Sequence, residues 1–326
     1  MSTRVSVIVP ARNEAATIEQ CVRSILAQDG AGELEVIVVD GSSADGTAEL
    51  ARNAGAVVIE NPERTTPAAL NHGLAAARAD VVLRFDAHSE MAPGYIAACM
   101  RALAEEAGAV NVGGWCEVRG RGPWGEAVAA ALESPLGVGN PRLWRRPAAD
   151  GRRDVETVPF GCFPTEAVRR AGGWRSDLIR NQDFELNHRL RAAGGRIVFD
   201  PEIQFVYLPR ESLGALWRQY REFGHWKAIV LARAPSSLRP RQLAPLGLLV
   251  TISAAVFPGR QRRPARLALA GYLVAVAAAA TRSGNWRTAP VLVTIHVAWG
   301  SGFLASAWRL LVRSGHRTQL PHAPAV

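Results

Sequence analysis

VVLRFDAH, Val81 to His88, is an apolar run rich in β-branched residues that stops at a carboxylate and an imidazole. It predicts a buried strand, with both polar side chains at its carboxyl end. Spaced two apart on extended backbone, Asp86 and His88 share a face and can meet one divalent cation. Taken alone, the tripeptide is weak evidence, and a turn-forming Asp with a loop His explains it better.

The flanking pattern sets that strand in a sheet. Val5 to Val9 closes on Pro10, Ala11, Arg12, Asn13 and Glu14, and Ala15 to Ala27 then has helical spacing through Ile18, Val22, Ile25 and Leu26. A second run, Val36 to Val39, ends in Asp40 and the loop Gly41 to Thr47, before a helix through Leu50. Val57 to Ile59 predicts a third strand, Ala68 to Ala77 a third helix and Val81 to Phe85 the fourth strand. Strands alternating with helices across short loops predict an α/β fold, a mostly parallel sheet with helices on both faces. Ligands of such sheets sit beyond the carboxyl ends of the strands, where Glu14, Asp40 and Asp86 all fall. A dehydrogenase is disfavoured, because no G-x-G-x-x-G follows the first strand.

VIVPARNE (Val7 to Glu14), VVDGSSADGT (Val38 to Thr47), LNHGL (Leu70 to Leu74) and FDAHS (Phe85 to Ser89) together resemble family 2 glycosyltransferases with the Rossmann-like GT-A fold. The resemblance is greatest to their succinoglycan-biosynthesis, ExoA-like branch. It continues through VPFGCF (Val158 to Phe163), AGGWR (Ala171 to Arg175), NQDFELNHRLRAAGGRIVFDP (Asn181 to Pro201) and QYREFGHWK (Gln219 to Lys227). It implies an enzyme that transfers a sugar from a nucleotide-diphosphate donor, a UDP-sugar being favoured. Pro10, Ala11, Arg12, Glu14, Asp40, Ser42, Asn71 and Asp86 would bind that donor. For Glu14 and Asp40 the alternative is helix capping, and for Asn71 a plain surface position. Asp86 and His88 would hold a divalent metal, Mn2+ or Mg2+, and the pattern is similar to the D-x-H of polypeptide N-acetylgalactosaminyltransferases. A C-terminal histidine found in many GT-A enzymes aligns here with Tyr207, which leaves His225 as a further metal candidate.

Asp183 is the implied base, deprotonating the acceptor hydroxyl of an inverting transfer. The family's Glu-Asp reads Gln182-Asp183 here, and glutamine cannot take a proton. Glu185 would substitute only with the helix start rotated. The alternative for Asp183 is a carboxylate complementing a helix dipole. Gly173, Trp174 and Gln182 would face the acceptor, with an ordinary buried tryptophan as the alternative. Gln219 and Arg221 match the Q-x-x-R-W of processive synthases only loosely, which does not support processivity.

Charge and hydropathy divide the chain differently. Its formal charge is +9, but residues 218–326 carry +14 and residues 1–217 carry −5. The basic part also holds apolar stretches at Leu243 to Phe257, Leu267 to Ala280 and Val291 to Leu311. A spanning helix needs about 20 residues, so the last qualifies, the second is marginal and the first is short. Nucleic acid would explain the charge but not its interleaving with Ala, Leu and Val; a membrane surface explains both. The positive-inside rule is met if the first segment is interfacial or re-entrant, the loop Gly259 to Arg266 is cytoplasmic and Arg282 to Thr288 is the short outer loop. The alternative is a soluble helical bundle with an Ala-rich core.

The expected domains are a catalytic one over 1–232, a membrane-associated helical region over 233–315 and a disordered tail over 316–326. Met1 to Arg4 leads straight into the first strand with no signal peptide, which predicts a catalytic domain on the cytosolic face of the cytoplasmic membrane. Cys21, Cys99, Cys116 and Cys162 lack C-x-x-C spacing, against a zinc site or disulfide framework. Gly120 to Arg153, rich in Gly, Pro and Arg, predicts an acceptor loop. The resulting expectation is a membrane enzyme building exopolysaccharide or cell-envelope glycan on a polyprenyl-diphosphate-linked acceptor. Its rivals are transfer to a polyprenyl phosphate, processive synthesis, or a catalytically silent module that docks partners at the membrane.

Overall fold

The computed structural model describes residues 4–29, 32–137, 151–178, 182–233, 238 and 240–315; the tail expected at 316–326 lies outside them. In chain order the first elements are β1 (Val5–Ala11), α1 (Ile18–Leu26), β2 (Leu34–Asp40), α2 (Thr47–Asn53), β3 (Val57–Glu60), α3 (Thr66–Ala76), β4 (Val81–Arg84) and β5 (Ser89–Met91). There follow α4 (Tyr95–Glu105), β6 (Ala109–Val118), α5 (Gly122–Glu133), β7 (Arg153–Asp154), β8 (Cys162–Pro164), α6 (Thr165–Arg170), α7 (Gln182–Ala192) and β9 (Arg196–Tyr207). The last are the helices α8 (Leu213–Arg233), α9 (Leu243–Val256), α10 (Arg262–Ser283) and α11 (Thr288–Gly315). The chain divides into two compact units, one of Met1–Arg119 with Arg142–Pro209, the other of Gly120–Pro141 with Arg210–Val326.

The first unit is built on one sheet of order β3-β2-β1-β4-β8-β6-β9-β5, with β7 also on β9. β1, β2, β3, β4, β6 and β9 run one way, while β5, β7 and β8 run against them. The β-branched run predicts this position for β1: Val5, Val7, Ile8 and Val9 have no exposed surface, as a central strand covered on both faces requires. Gly73 lets α3 lie directly on β1, since a Cβ there would come 2.3 Å from Ile8 Cγ2. Ile8, Val39, Leu70, Trp115, Phe163, Trp174 and Leu186 belong to one buried cluster. Register places the site: Ala11 pairs with Asp40, and Ile8 with Arg84, so the polar ends of β1, β2 and β4 lie at the same edge. All four cysteines are buried and free.

The second unit is helical. Gly122 to Glu133, expected within a loop, is the helix α5: Pro123 sits in its first turn, where it removes no helical hydrogen bond, and the run Ala127 to Ala131 has high helix propensity. α8 meets α11 backbone to backbone. A Cβ on Gly224 would lie 1.9 Å from the Trp299 carbonyl oxygen, and one on Gly302 equally close to that of Arg221. Among the described residues two helices are long and apolar enough to cross a membrane, Arg262–Ser283 and Thr288–Val312, and α9 is a shorter apolar one. At 22 residues α10 extends about 33 Å, so the segment read as marginal has a full spanning length. Leu267, Val274, Leu304, Trp308 and Leu311 are exposed along these helices.

Candidate active site

The loops after β1 and β2 are laced together. Asn13 receives a hydrogen bond from the Ala44 amide at 3.0 Å, the Glu14 amide donates to Thr47 Oγ1 at 2.9 Å and the Gly41 amide to the Ala11 carbonyl at 2.8 Å. Asn13 and Ser42 take left-handed backbone conformations, φ 55° and 56°, which bends both loops out of their strands. Asp40 is 7 % exposed and accepts from the Ser43 amide and hydroxyl, at 3.0 and 2.6 Å. It caps no helix, and neither does Glu14: the caps of α1 and α2 are Thr17 and Gly46. Pro10 is half-buried at the strand end, Arg12 and Ser42 are exposed, and the Arg12 side chain lies on Gly41.

At the end of β4 the decisive group is Arg84, which sequence reasoning missed as a site residue. Its guanidinium donates through Nη2 to Asp86 Oδ1 at 2.8 Å and through Nη1 to Asp183 Oδ2 at 2.5 Å. The Phe160 ring lies over it, 5.6 Å to the centroid, and Nε is buried without a partner. Burial alone would weaken this cation, but Asp183 and Asp86 outweigh it and hold the guanidinium charged. The signal was legible: an arginine inside an otherwise apolar central strand needs buried counter-charges.

Asp183, in the first turn of α7, also accepts from Trp174 Nε1 at 3.2 Å. Burial pushes its carboxyl above the usual range; Arg84 pulls it down, nearby Asp86 pushes it up, and the net direction is upward. Glu185 is committed elsewhere, gripped by Arg189 at 2.8 Å through both oxygens. Gln182 is buried at the start of the helix.

Trp174, expected to offer a face to the acceptor, is 1 % exposed and lies edge-on to Phe163 within the core. This corrects the expectation: a buried indole cannot stack on a sugar, and Trp174 meets the site only through its N–H. Asn71 is not a plain surface residue. Its amide donates to the Trp174 carbonyl at 2.7 Å and accepts from the Trp174 amide at 2.9 Å. Gly173, at φ 70°, brings the backbone so close that a Cβ would meet Asn71 Oδ1 at 2.5 Å. Arg189 closes the same turn from the other side, donating to the Ala171 and Gly173 carbonyls.

His88 Nδ1 is buried 3.3 Å from Glu14 Oε1 but forms no hydrogen bond with it or any described residue. Asp86 gives Oδ1 to Arg84, and its Oδ2 has no hydrogen bond among the described residues. A His88 nitrogen without a hydrogen bond, lying beside the Glu14 carboxylate, and a free Asp86 oxygen are donor types suited to a hard or borderline divalent cation. Among the described residues no three His, Cys, Asp or Glu side chains gather into a metal-holding group. Tyr207, aligned where a histidine was expected, packs its ring 5.5 Å from that of His88. His225 belongs to the second unit, half-buried on α8 with its ring against Trp226.

A mostly parallel sheet with carboxylates at the ends of β1, β2 and β4, and the half-buried Asp183 facing them, is the arrangement in which an α/β fold binds its ligand beyond the strand ends. Residues 6–170 match the model of glycosyl transferase family 2, and the chain belongs to that family. It is a glycosyltransferase with the GT-A fold. Over 332 residues it is 29 % identical to a succinoglycan biosynthesis protein, ExoA, of Rhizobium meliloti (strain 1021), covering 95 % of this chain and 96 % of that one. It is 25 % identical over 268 residues to a dolichyl N-acetyl-α-D-glucosaminyl phosphate 3-β-D-2,3-diacetamido-2,3-dideoxy-β-D-glucuronosyltransferase of Methanococcus voltae, covering 78 % of this chain and 82 % of the other. Among solved structures it resembles a mannosyltransferase of Pyrobaculum calidifontis in complex with GDP-Man and Mn2+, with a TM-score of 0.59, 23 % identity and coverage of 92 % and 87 %. That similarity concerns the fold.

Proposed function

We propose that the enzyme is an inverting glycosyltransferase that moves a sugar from a nucleoside-diphosphate sugar, a UDP-sugar being favoured, to a polyprenyl-diphosphate-linked saccharide at the cytosolic face of the membrane. The observation that carries it is the Arg84 fork, which ties the strand-end Asp86 to the half-buried Asp183. One cation thus fixes the distance between the donor side of the site and the base. The relatives that act in succinoglycan biosynthesis and on a dolichyl-linked sugar support the acceptor class, as do two helices able to cross a membrane.

In this reading Asp40, Glu14 and the Pro10 to Arg12 and Ser42 loops hold the nucleoside, with carboxylates accepting from base or ribose. Asn71 serves the site by bracing the Gly173–Trp174 turn. Asp183 takes the proton of the acceptor hydroxyl as that oxygen bonds to the anomeric carbon and the bond from that carbon to the diphosphate breaks. Asp86 and His88 would hold the divalent ion, Mn2+ or Mg2+. When bound, it neutralises charge developing on the departing diphosphate.

The test is full-length protein in detergent, given a panel of nucleotide sugars and a polyprenyl-diphosphate saccharide, with and without EDTA. Transfer with inversion at the anomeric carbon, lost on chelation and restored by Mn2+ or Mg2+, is expected. Retention of configuration, or transfer confined to water-soluble acceptors, would overturn the reading.

A further inference from the structure

α8 and α11 touch at Gly224 and Gly302 and then part, leaving a cavity of about 480 Å³ within the second unit. Trp217, Arg218, Arg221, Glu222 and His225 of α8 and Arg309 of α11 line it. Three guanidiniums therefore converge with a single carboxylate. Arg218, Arg221 and Arg309 are exposed, and none makes a hydrogen bond or ion pair to a described residue. Like charges gathered around one concavity repel unless an anion fills it, and guanidinium forks match the oxygens of phosphate in pairs.

The surroundings say what carries the anion. Arg309 lies in the last turn of the segment Thr288–Val312, which is long and apolar enough to span a bilayer. Trp217, 38 % exposed, lines the cavity, Trp308, 69 % exposed, precedes Arg309 on α11, and tryptophan concentrates where hydrocarbon meets water. Leu304 and Leu311, also exposed on α11, continue an apolar surface along the same helix. A basic concavity with a tryptophan in its wall, at the end of a helix long enough to span a bilayer, would sit at headgroup depth.

We infer that this cavity binds the diphosphate of a polyprenyl lipid, Arg218, Arg221 and Arg309 gripping its phosphate oxygens while the isoprenoid chain runs along α11. The choice of lipid rests on the acceptor class proposed above; the phosphate chemistry rests on the cavity. None of these three arginines belongs to the candidate active site.

Full-length protein in neutral phosphatidylcholine nanodiscs is titrated with radiolabelled undecaprenyl diphosphate. Saturable one-site binding is expected, weakened tenfold or more in R218Q/R221Q and in R309Q, with slow donor hydrolysis in the absence of acceptor unchanged. Wild-type affinity in both variants, or equal binding of undecaprenol, overturns the inference. So does displacement by inorganic pyrophosphate at the lipid's own concentration, which marks a free-anion site, or by phosphatidylglycerol in proportion to its mole fraction, which marks general surface attraction. The two readings fail separately. If the variants glycosylate the lipid-linked acceptor with wild-type KM, the cavity assignment falls and the acceptor class stands; if only soluble acceptors are glycosylated while the arginines still hold the lipid, the reverse holds.

Discussion

At the scale of single residues, the proposed mechanism rests on Arg84 and Asp183. D183N keeps the shape of the carboxyl but cannot accept a proton, so transfer should fall by about 10²- to 10⁴-fold with donor binding retained, measured as kcat against nucleotide affinity. Because burial raises the Asp183 pKa, the ionised base is complete only above the ordinary aspartate range. The rate should therefore climb with pH along a limb displaced upward from that of an exposed aspartate. W174F removes a hydrogen bond that holds the pKa down and should move the limb further up, with a modest loss of rate. R84M leaves two half-buried carboxylates facing each other without their cation and should lower stability in a thermal or urea melt, by less than loss of a fully buried pair would. R84K keeps the charge but loses the two-pronged geometry, and should recover stability more than activity. Asp86, His88 and Asp183 were legible as candidates from their neighbours in sequence. Arg84 was written in the same stretch, but its role depends on Asp183, 99 residues further on, meeting it across the fold.

Packing at the scale of elements explains which expectations moved. The strands β1 to β4 follow from their β-branched runs, since a strand covered on both faces needs little beyond continuous apolar sequence. Gly122 to Glu133 misled because Gly and Pro density reads as loop, whereas Pro123 in a first turn initiates a helix; residues 138–150 of the expected acceptor loop lie outside the described residues. Trp174 misled for another reason: Gly172-Gly173 predicts a turn but not which side of it the indole takes. The Asn71 and Arg189 braces settle that by holding the backbone of the turn from α3 and α7. N71A removes one donor and one acceptor from the Trp174 peptide and should cost about 1–3 kcal/mol, with activity falling through a displaced Asp183 partner. At the α8–α11 crossing, G302V would drive a side chain into the Arg221 carbonyl. It should reduce the yield of folded, detergent-extracted protein far more than the same change at Gly247, which has open space around it.

Charge and hydropathy act on the whole molecule together. The excess of +14 over residues 218–326 accompanies the helices that leave large apolar side chains exposed, the combination a bilayer surface accommodates. If α9 is interfacial and α10 and α11 span, single cysteines placed in Gly259 to Arg266 should resist a membrane-impermeant thiol reagent in intact cells and react after permeabilisation. Labelling from outside would reverse the arrangement. Taken by itself, the sequence determined the parallel sheet, the polar strand ends and the basic, apolar C-terminal third, because each is a local pattern of side chains repeated along a few turns or strands. Only the tertiary structure decided that Arg84 joins Asp86 to Asp183, that Trp174 is buried, and that Arg218, Arg221 and Arg309 surround one cavity. Those are meetings between distant segments, fixed by sheet register and by two glycines that let helices touch, and no local pattern encodes which residues such contacts will bring face to face.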